Sequence, residues 1–139
     1  GRGFNIDALT VAPTTDPKLS RITLLTHGDE HIIEQITKQL NRLVDVLRVV
    51  DLSTQEHIWR ELMLIKVKAS PKDEPKLQKL IEKFNAQLVD EKDELKILQF
   101  VLEVDRSEEL LKSLKNFEVL ELVRSGHVAM HRGKNTLKA

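Results

Sequence analysis

Residues 61–69 read ELMLIKVKA, and the order of elements that follows them decides the fold. The stretch reads as a strand beginning at Glu61. Pro71 to Pro75 then breaks the chain. Leu77, Leu80, Ile81 and Phe84 recur at helical spacing and mark a helix. AQLVDE (residues 86–91) is a short strand, and Lys92 to Glu94 a turn. KILQFVLEV (residues 96–104) is a strong strand. Asp105 and Glu108 stand at the spacing of a capping box, with Asp in place of Ser or Thr. Leu110, Leu111 and Leu114 supply the buried stripe of the next helix. VLELVRSGHVAMHRG (residues 119–133) closes as a strand that bends or bulges at Gly126. The order is β-α-β-β-α-β.

That is the order of the split βαβ, ferredoxin-like arrangement. Residues 53–60 read as a connector to an earlier segment. There, Phe4 to Val11 are mostly apolar or β-favouring, and Pro13 to Pro17 (PTTDP) form a turn cluster. LSRITLLTHG (residues 19–28) reads as a second strand, with Ile22 and Leu24 on one face and Thr23 and Leu25 on the other. Two strands with a short Pro/Asp loop make a hairpin. Gly28 ends it, and Asp29 and Glu30 place negative charge where a helix N-terminus favours it. Ile32, Ile33, Ile36, Leu40 and Leu43 follow at helical spacing, with Glu34, Gln35, Lys38, Gln39 and Arg42 on the wet side. VDVLRVVDL (residues 44–52) alternates and reads as a strand. This β-β-α-β order is the ferredoxin-like one without its leading β-α.

The expected fold class is therefore α+β, with two ferredoxin-like (βαββαβ) modules, the first lacking its N-terminal strand and helix. The expected boundaries are 1–52 for the first module, 53–60 for the connector, 61–133 for the second module and 134–139 for a tail. In this fold the first strand is central and pairs with both the third and the fourth. Without it, interior backbone groups lose partners. The expectation is an N-terminal truncation of roughly one strand and one helix, on the order of 20–30 residues, or a strand donated by a partner chain.

Composition narrows the function. The chain has 139 residues, 40% hydrophobic and 32% charged, a globular balance. Lys+Arg and Asp+Glu are equal at 22 each, so no net field steers it toward nucleic acid or anionic membrane. No apolar run approaches the roughly 18 residues of a membrane helix. Cysteine is absent, which removes disulfides, thiol catalysis and Cys-based zinc sites. No nucleophile elbow, P-loop or GxGxxG is present, and no constellation supports catalysis. His27 and His31 are four apart, as are His127 and His131. Neither pair lies inside one expected helix, so the spacing does not bring two imidazoles to one face, and these read as surface or strand-end histidines with no metal site.

The opening RGF resembles the start of an RNA-binding RNP1 motif. Asn5, Ile6, Asp7, Ala8 and Leu9 follow it, without the later stacking aromatics; Tyr is absent and the one Trp, Trp59, falls in the connector. Asn5 has its own interest. Its amide offers donors and acceptors in an apolar context, which suits a zwitterion such as an amino acid. Equally, Asn after Gly caps an entry turn.

GFNIDALTVAPTTDPKLSRITLLTHGDE (residues 3–30) followed by IEQITKQLNRLVDVLRVVDL (residues 33–52) resembles the small regulatory subunit of acetohydroxyacid synthase (acetolactate synthase). So do RELMLIKV (residues 60–67) and VRSGHVAMHRG (residues 123–133). The stretch from Pro71 to Ser113 is looser and supports the match through its element order. The resemblance implies that the first module is an ACT domain. It implies a non-catalytic subunit that activates a large catalytic subunit and confers feedback inhibition by valine or a related branched-chain amino acid. Thiamine diphosphate, magnesium and FAD would belong to that partner, and no cofactor to this chain. ACT domains of the family pair as homodimers with the effector at their interface, contacted by the loop after the first strand and by a strand-2 Asn. That Asn matches Asn5, with Ile6 beside it. The first loop is absent here, so about half the effector site is expected, with weak or no valine binding by these residues alone. The implied location is the bacterial cytoplasm, or a plastid after loss of a leader. A stand-alone amino-acid-sensing ACT protein and an RNA-binding ferredoxin-like domain are the competing readings.

Overall fold

The computed structural model describes residues 6–26, 30–43, 45–46 and 48–137. Its elements are β1 (Ile6–Pro13), β2 (Ser20–Thr26), α1 (Glu30–Asn41), β3 (His57–Lys68), α2 (Glu74–Phe84), β4 (Gln87–Lys92), β5 (Leu95–Leu102), α3 (Val104–Ser113) and β6 (Glu118–His131). They form two compact units, one of Gly1–Trp59 with His127–Ala139 and one of Arg60–Gly126. We call these unit 1 and unit 2.

Unit 2 is built on the sheet β4-β5-β3-β6, with β3 between β5 and β6. β3 and β5 run antiparallel in unbroken register from Glu61↔Leu102 to Lys68↔Leu95. Side chains alternate across a strand, so the register puts one apolar row of each strand on the same face. Met63, Ile65 and Val67 of β3 and Leu98, Phe100 and Leu102 of β5 are buried together. They close on Leu77, Leu80 and Phe84 of α2 and on Leu110 of α3. Phe84 and Phe100 meet edge to face at 6.2 Å. Each such side chain stabilises the unit by about 1.5–3 kcal/mol.

Helix ends are set locally. Asp73 Oδ2 accepts the Ser70 N–H at 3.1 Å and the Ser70 hydroxyl at 2.9 Å, which fixes the approach to α2. Those bonds, the hydroxyl's above all, hold the Asp73 carboxyl below its ordinary pKa. α2 ends at Asn85, whose φ of 52° is the left-handed conformation common after a helix. Lys96 on β5 is buried, and its ammonium lies 2.8 Å from Glu74 of α2 and 3.9 Å from Glu91 of β4. The hydrogen bond to Glu74 raises its pKa. On α3, the expected capping box at Asp105 and Glu108 does not form. The N-cap is Glu103, because its carbonyl already accepts the Arg106 and Ser107 N–H groups at 3.1 and 3.0 Å. Asp105 falls inside the first turn, where its charge still suits the helix dipole.

Unit 1 contains the β1–β2 hairpin, in register from Leu9↔Leu24 to Pro13↔Ser20, with an irregularity between Ile6 and Ala8. Its loop is tied by Thr14 N–H to Leu19 O at 2.9 Å and by Lys18 N–H to Asp16 Oδ1 at 2.9 Å. α1 follows, with Ile36 buried. Two sequence expectations fail here. The alternating stretch 44–52 forms no strand among its described residues and ends in a 3-10 turn at Leu52–Thr54. In the ferredoxin-like order this strand pairs with the leading central strand, and the sheet of the described residues is only β1-β2. Alternation without a neighbouring ladder leaves backbone groups unpaired, so no strand results. Residues 57–60, read as connector, are instead the start of β3.

Phe100→Ala should lower the unfolding free energy by about 3–5 kcal/mol, read as a shifted urea midpoint with unchanged slope. The two shifted groups predict opposite limbs of the pH–stability curve. Asp73 has a lowered folded-state pKa, so its contribution is present above the ordinary carboxylate value of about 3.9 and is lost as pH falls through the lower one. Asp73→Asn should flatten the acid limb. Lys96 has a raised folded-state pKa, so its contribution holds below about 10.4 and is lost as pH rises beyond it. Lys96→Met should flatten the alkaline limb; both are checked by thermal melts across pH.

Candidate effector site

The sequence places its effector residues at the start of β1. Asn5 lies outside the described residues. Ile6 opens β1, and its Cα pairs with Thr26 at the end of β2. The hairpin loop at Thr14–Leu19 is at the other end of both strands. The Ile6–Thr26 end is the opposite end of the hairpin, and the next described element in the chain is α1, which begins at Glu30.

The rest of unit 1 holds this hairpin through its second strand. Arg21 on β2 donates from Nη2 to the Ala129 carbonyl of β6 at 2.6 Å. β6 in turn meets the start of β3: the His127 ring packs edge-on to Trp59 at 5.3 Å, and just beyond the two strand ends the Arg132 N–H bonds Glu56 O at 3.0 Å. The His57 ring lies tilted to Trp59 with its centroid at 6.0 Å. Sequence reading missed this cluster. It put Trp59 in a connector and His127 among surface or strand-end residues. Trp59 is on β3 and His127 is 6% exposed. The strand through His127 was read from the sequence, over 119–133; for Trp59 the signal was the β-favouring pair Ile58 and Trp59 just before the strand start read at Glu61.

His27 lies outside the described residues, and His31 meets Gln35 at 3.3 Å on α1. His127 and His131 are four residues apart on one strand, roughly 13 Å at 3.3 Å per residue. Among the described residues no group of three or more His, Cys, Asp or Glu side chains could hold a metal ion. The open face of the unit 2 sheet presents Leu64 and Val101, 38% and 56% exposed, rather than aromatic rings. Phe84 and Phe100 are in the core instead.

One unit has the complete β-α-β-β-α-β order and the other a hairpin and a helix, an α+β organisation of the ACT-domain class. The comparisons with known proteins place it more narrowly. The family model described as "AHAS small subunit-like ACT domain" matches residues 1–48, and the one described as "Small subunit of acetolactate synthase" matches residues 60–133. The chain is 43% identical over 138 residues to the acetolactate synthase isozyme 3 small subunit of Salmonella typhimurium, covering 99% of this chain and 85% of that one. It is 43% identical to the acetolactate synthase small subunit of Haemophilus influenzae, covering 98% and 84%. The crystal structure of the acetolactate synthase small subunit from Thermotoga maritima superposes with a TM-score of 0.84 at 34% identity, over 96% of this chain and 84% of that one. The chain belongs to the acetolactate synthase small-subunit family, and its role is regulatory.

Zinc or nickel added to a few equivalents should leave the emission of Trp59 unchanged, since imidazoles spaced along one strand do not chelate. A saturable change in emission would contradict that geometry.

Proposed function

We propose that this chain is the non-catalytic partner of a large catalytic acetolactate synthase subunit, which it activates and makes sensitive to valine or a related branched-chain amino acid. The observation that carries the reading is the paired match: an ACT-type model on residues 1–48 and a small-subunit model on residues 60–133, with relatives of that name matching almost the whole chain. In this reading residues 1–52 are the effector-sensing ACT domain and 61–133 a second domain. Thiamine diphosphate, magnesium and FAD belong to the catalytic partner. Two copies of the chain pair through their ACT domains in the bacterial cytoplasm, and the effector sits between them.

Asn5 supplies amide contacts to the zwitterion, and Ile6 beside it an apolar wall. Inhibition then needs only that the effector bind one arrangement of the paired domains better than another. A difference of about 1–3 kcal/mol is a typical coupling.

The test is a valine titration of acetolactate formation by enzyme reconstituted with the full-length small subunit, carrying Asn5 or Asn5→Ala. Losing a hydrogen bond to a charged group is worth about 1.5–3 kcal/mol. The inhibition midpoint should rise roughly 10- to 100-fold while activation persists. Equal inhibition of both removes Asn5 from the mechanism.

A further inference from the structure

The two edges of the unit 2 sheet differ. β4 is the edge beside β5, and β6 the edge beside β3. β4 has six residues, carries Asp90, Glu91 and Lys92, and shifts register between Leu88 and Asp90. Short strands, charged side chains and bulges are how proteins keep an edge from pairing with another chain. β6 runs for 14 residues, and its stretch 118–124, EVLELVR, holds neither Pro nor Lys. Val119, Leu120 and Val123 are 36%, 50% and 52% exposed. Among the described residues no strand pairs with the outer side of β6. A long, exposed, apolar edge is a template for a further strand.

The stretch is its own complement. About Glu121 it reads alike in both directions: Val119 mirrors Val123, Leu120 mirrors Leu122, and Glu118 mirrors Arg124 with the opposite charge. Directly opposite residues of an antiparallel pair lie on the same face. Two copies of 118–124 paired about Glu121 therefore set valine beside valine on the open face. They set leucine beside leucine on the helix face, where Leu122 already packs against the core. Glu118 meets the partner's Arg124. That guanidinium bridges Glu61 of its own β3, Nη2 to Oε1 at 2.6 Å, yet its side chain stays 40% exposed and open to a second carboxylate. Centred one residue earlier, the pairing would set Glu118 against leucine; one residue later, Leu120 against arginine. One register thus matches apolar with apolar and charge with charge. Its one unfavourable pair is Glu121 against its own copy on the axis.

We propose that the outer edge of β6 is a self-association site: two copies of this chain pair antiparallel through residues 118–124 about a two-fold axis at Glu121, joining two unit 2 sheets into one. The contact lies wholly within unit 2. It stands apart from the effector reading and from pairing through the first module.

The test is cysteine crosslinking, since the chain has no cysteine of its own. Opposite residues of an antiparallel pair have Cα atoms about 4.5–5.5 Å apart, within the span of a disulfide. Val119→Cys and Val123→Cys chains are oxidised with diamide, each alone and mixed in equal amounts. In the proposed register Val119 lies opposite Val123, and like positions are roughly 13 Å apart, too far to bridge. The mixture should crosslink at least about tenfold faster than either chain alone. Glu121→Cys, on the axis, should crosslink by itself as fast as the mixture. Val89→Cys, 48% exposed on β4, should stay uncrosslinked at the same concentration. In the unmodified chain, amide exchange at residues 118–124 should slow at least about tenfold as the chain is concentrated, with residues 87–92 unchanged. Equal rates for the mixture and the single chains, equal rates for Val89→Cys and Glu121→Cys, or exchange at 118–124 independent of concentration would overturn the proposal. So would crosslinking to an added catalytic subunit in place of a second copy, which gives the edge a different occupant.

Discussion

The structure depends on β3 having a neighbour on each side. A central strand presents backbone donors and acceptors along both edges, and burial makes each unpaired one costly. In unit 2, β5 satisfies one edge through eight consecutive register pairs, and β6 satisfies the other. With both edges satisfied, Met63, Ile65 and Val67 can sit at 0% exposure under the helices. The helices have little stability of their own, since isolated segments of 10–11 residues are marginal in water. They persist because Leu77, Leu80, Phe84 and Leu110 reach the face that β3 and β5 hold in place.

The same constraint explains which parts of the fold the sequence revealed. Unit 2 was legible nearly throughout, because each of its strands has its partner within the chain and each turn its own chemistry. The exposed edge strand β4 was legible from its position between a helix and a turn. The stretch 44–52 misled because alternation records only which faces a strand would present. It does not record whether a ladder is available, and among the described residues none forms there. Residues 57–60 misled in the opposite sense. His57 and Trp59 look like connector residues locally, and they become strand through β6, more than sixty residues later. The capping box at Asp105 failed by two residues, since the Glu103 carbonyl closes the first turn earlier.

The candidate site was read from the sequence through Asn5, which lies outside the described residues. An Asn beside an apolar strand is open to several readings, and the family membership is what favours an effector contact over a turn cap. The Trp59–His127 pair and the Arg21–Ala129 bond could not be read from spacing, since their partners are 68 and 108 residues apart. The Arg21–Ala129 bond attaches the hairpin to β6, and the Trp59–His127 pair packs β6 on the start of β3. A regulatory chain needs such attachments, because an effector moves an equilibrium only if what it touches differs between the two states.

The central claim is that this chain acts on a catalytic partner. The direct measurement is acetolactate formation by the large subunit as full-length small subunit is added. The account predicts that activity rises and saturates at a fixed subunit ratio, with the small subunit alone inactive. No change in activity at large excess, with both subunits shown to be folded, would contradict it.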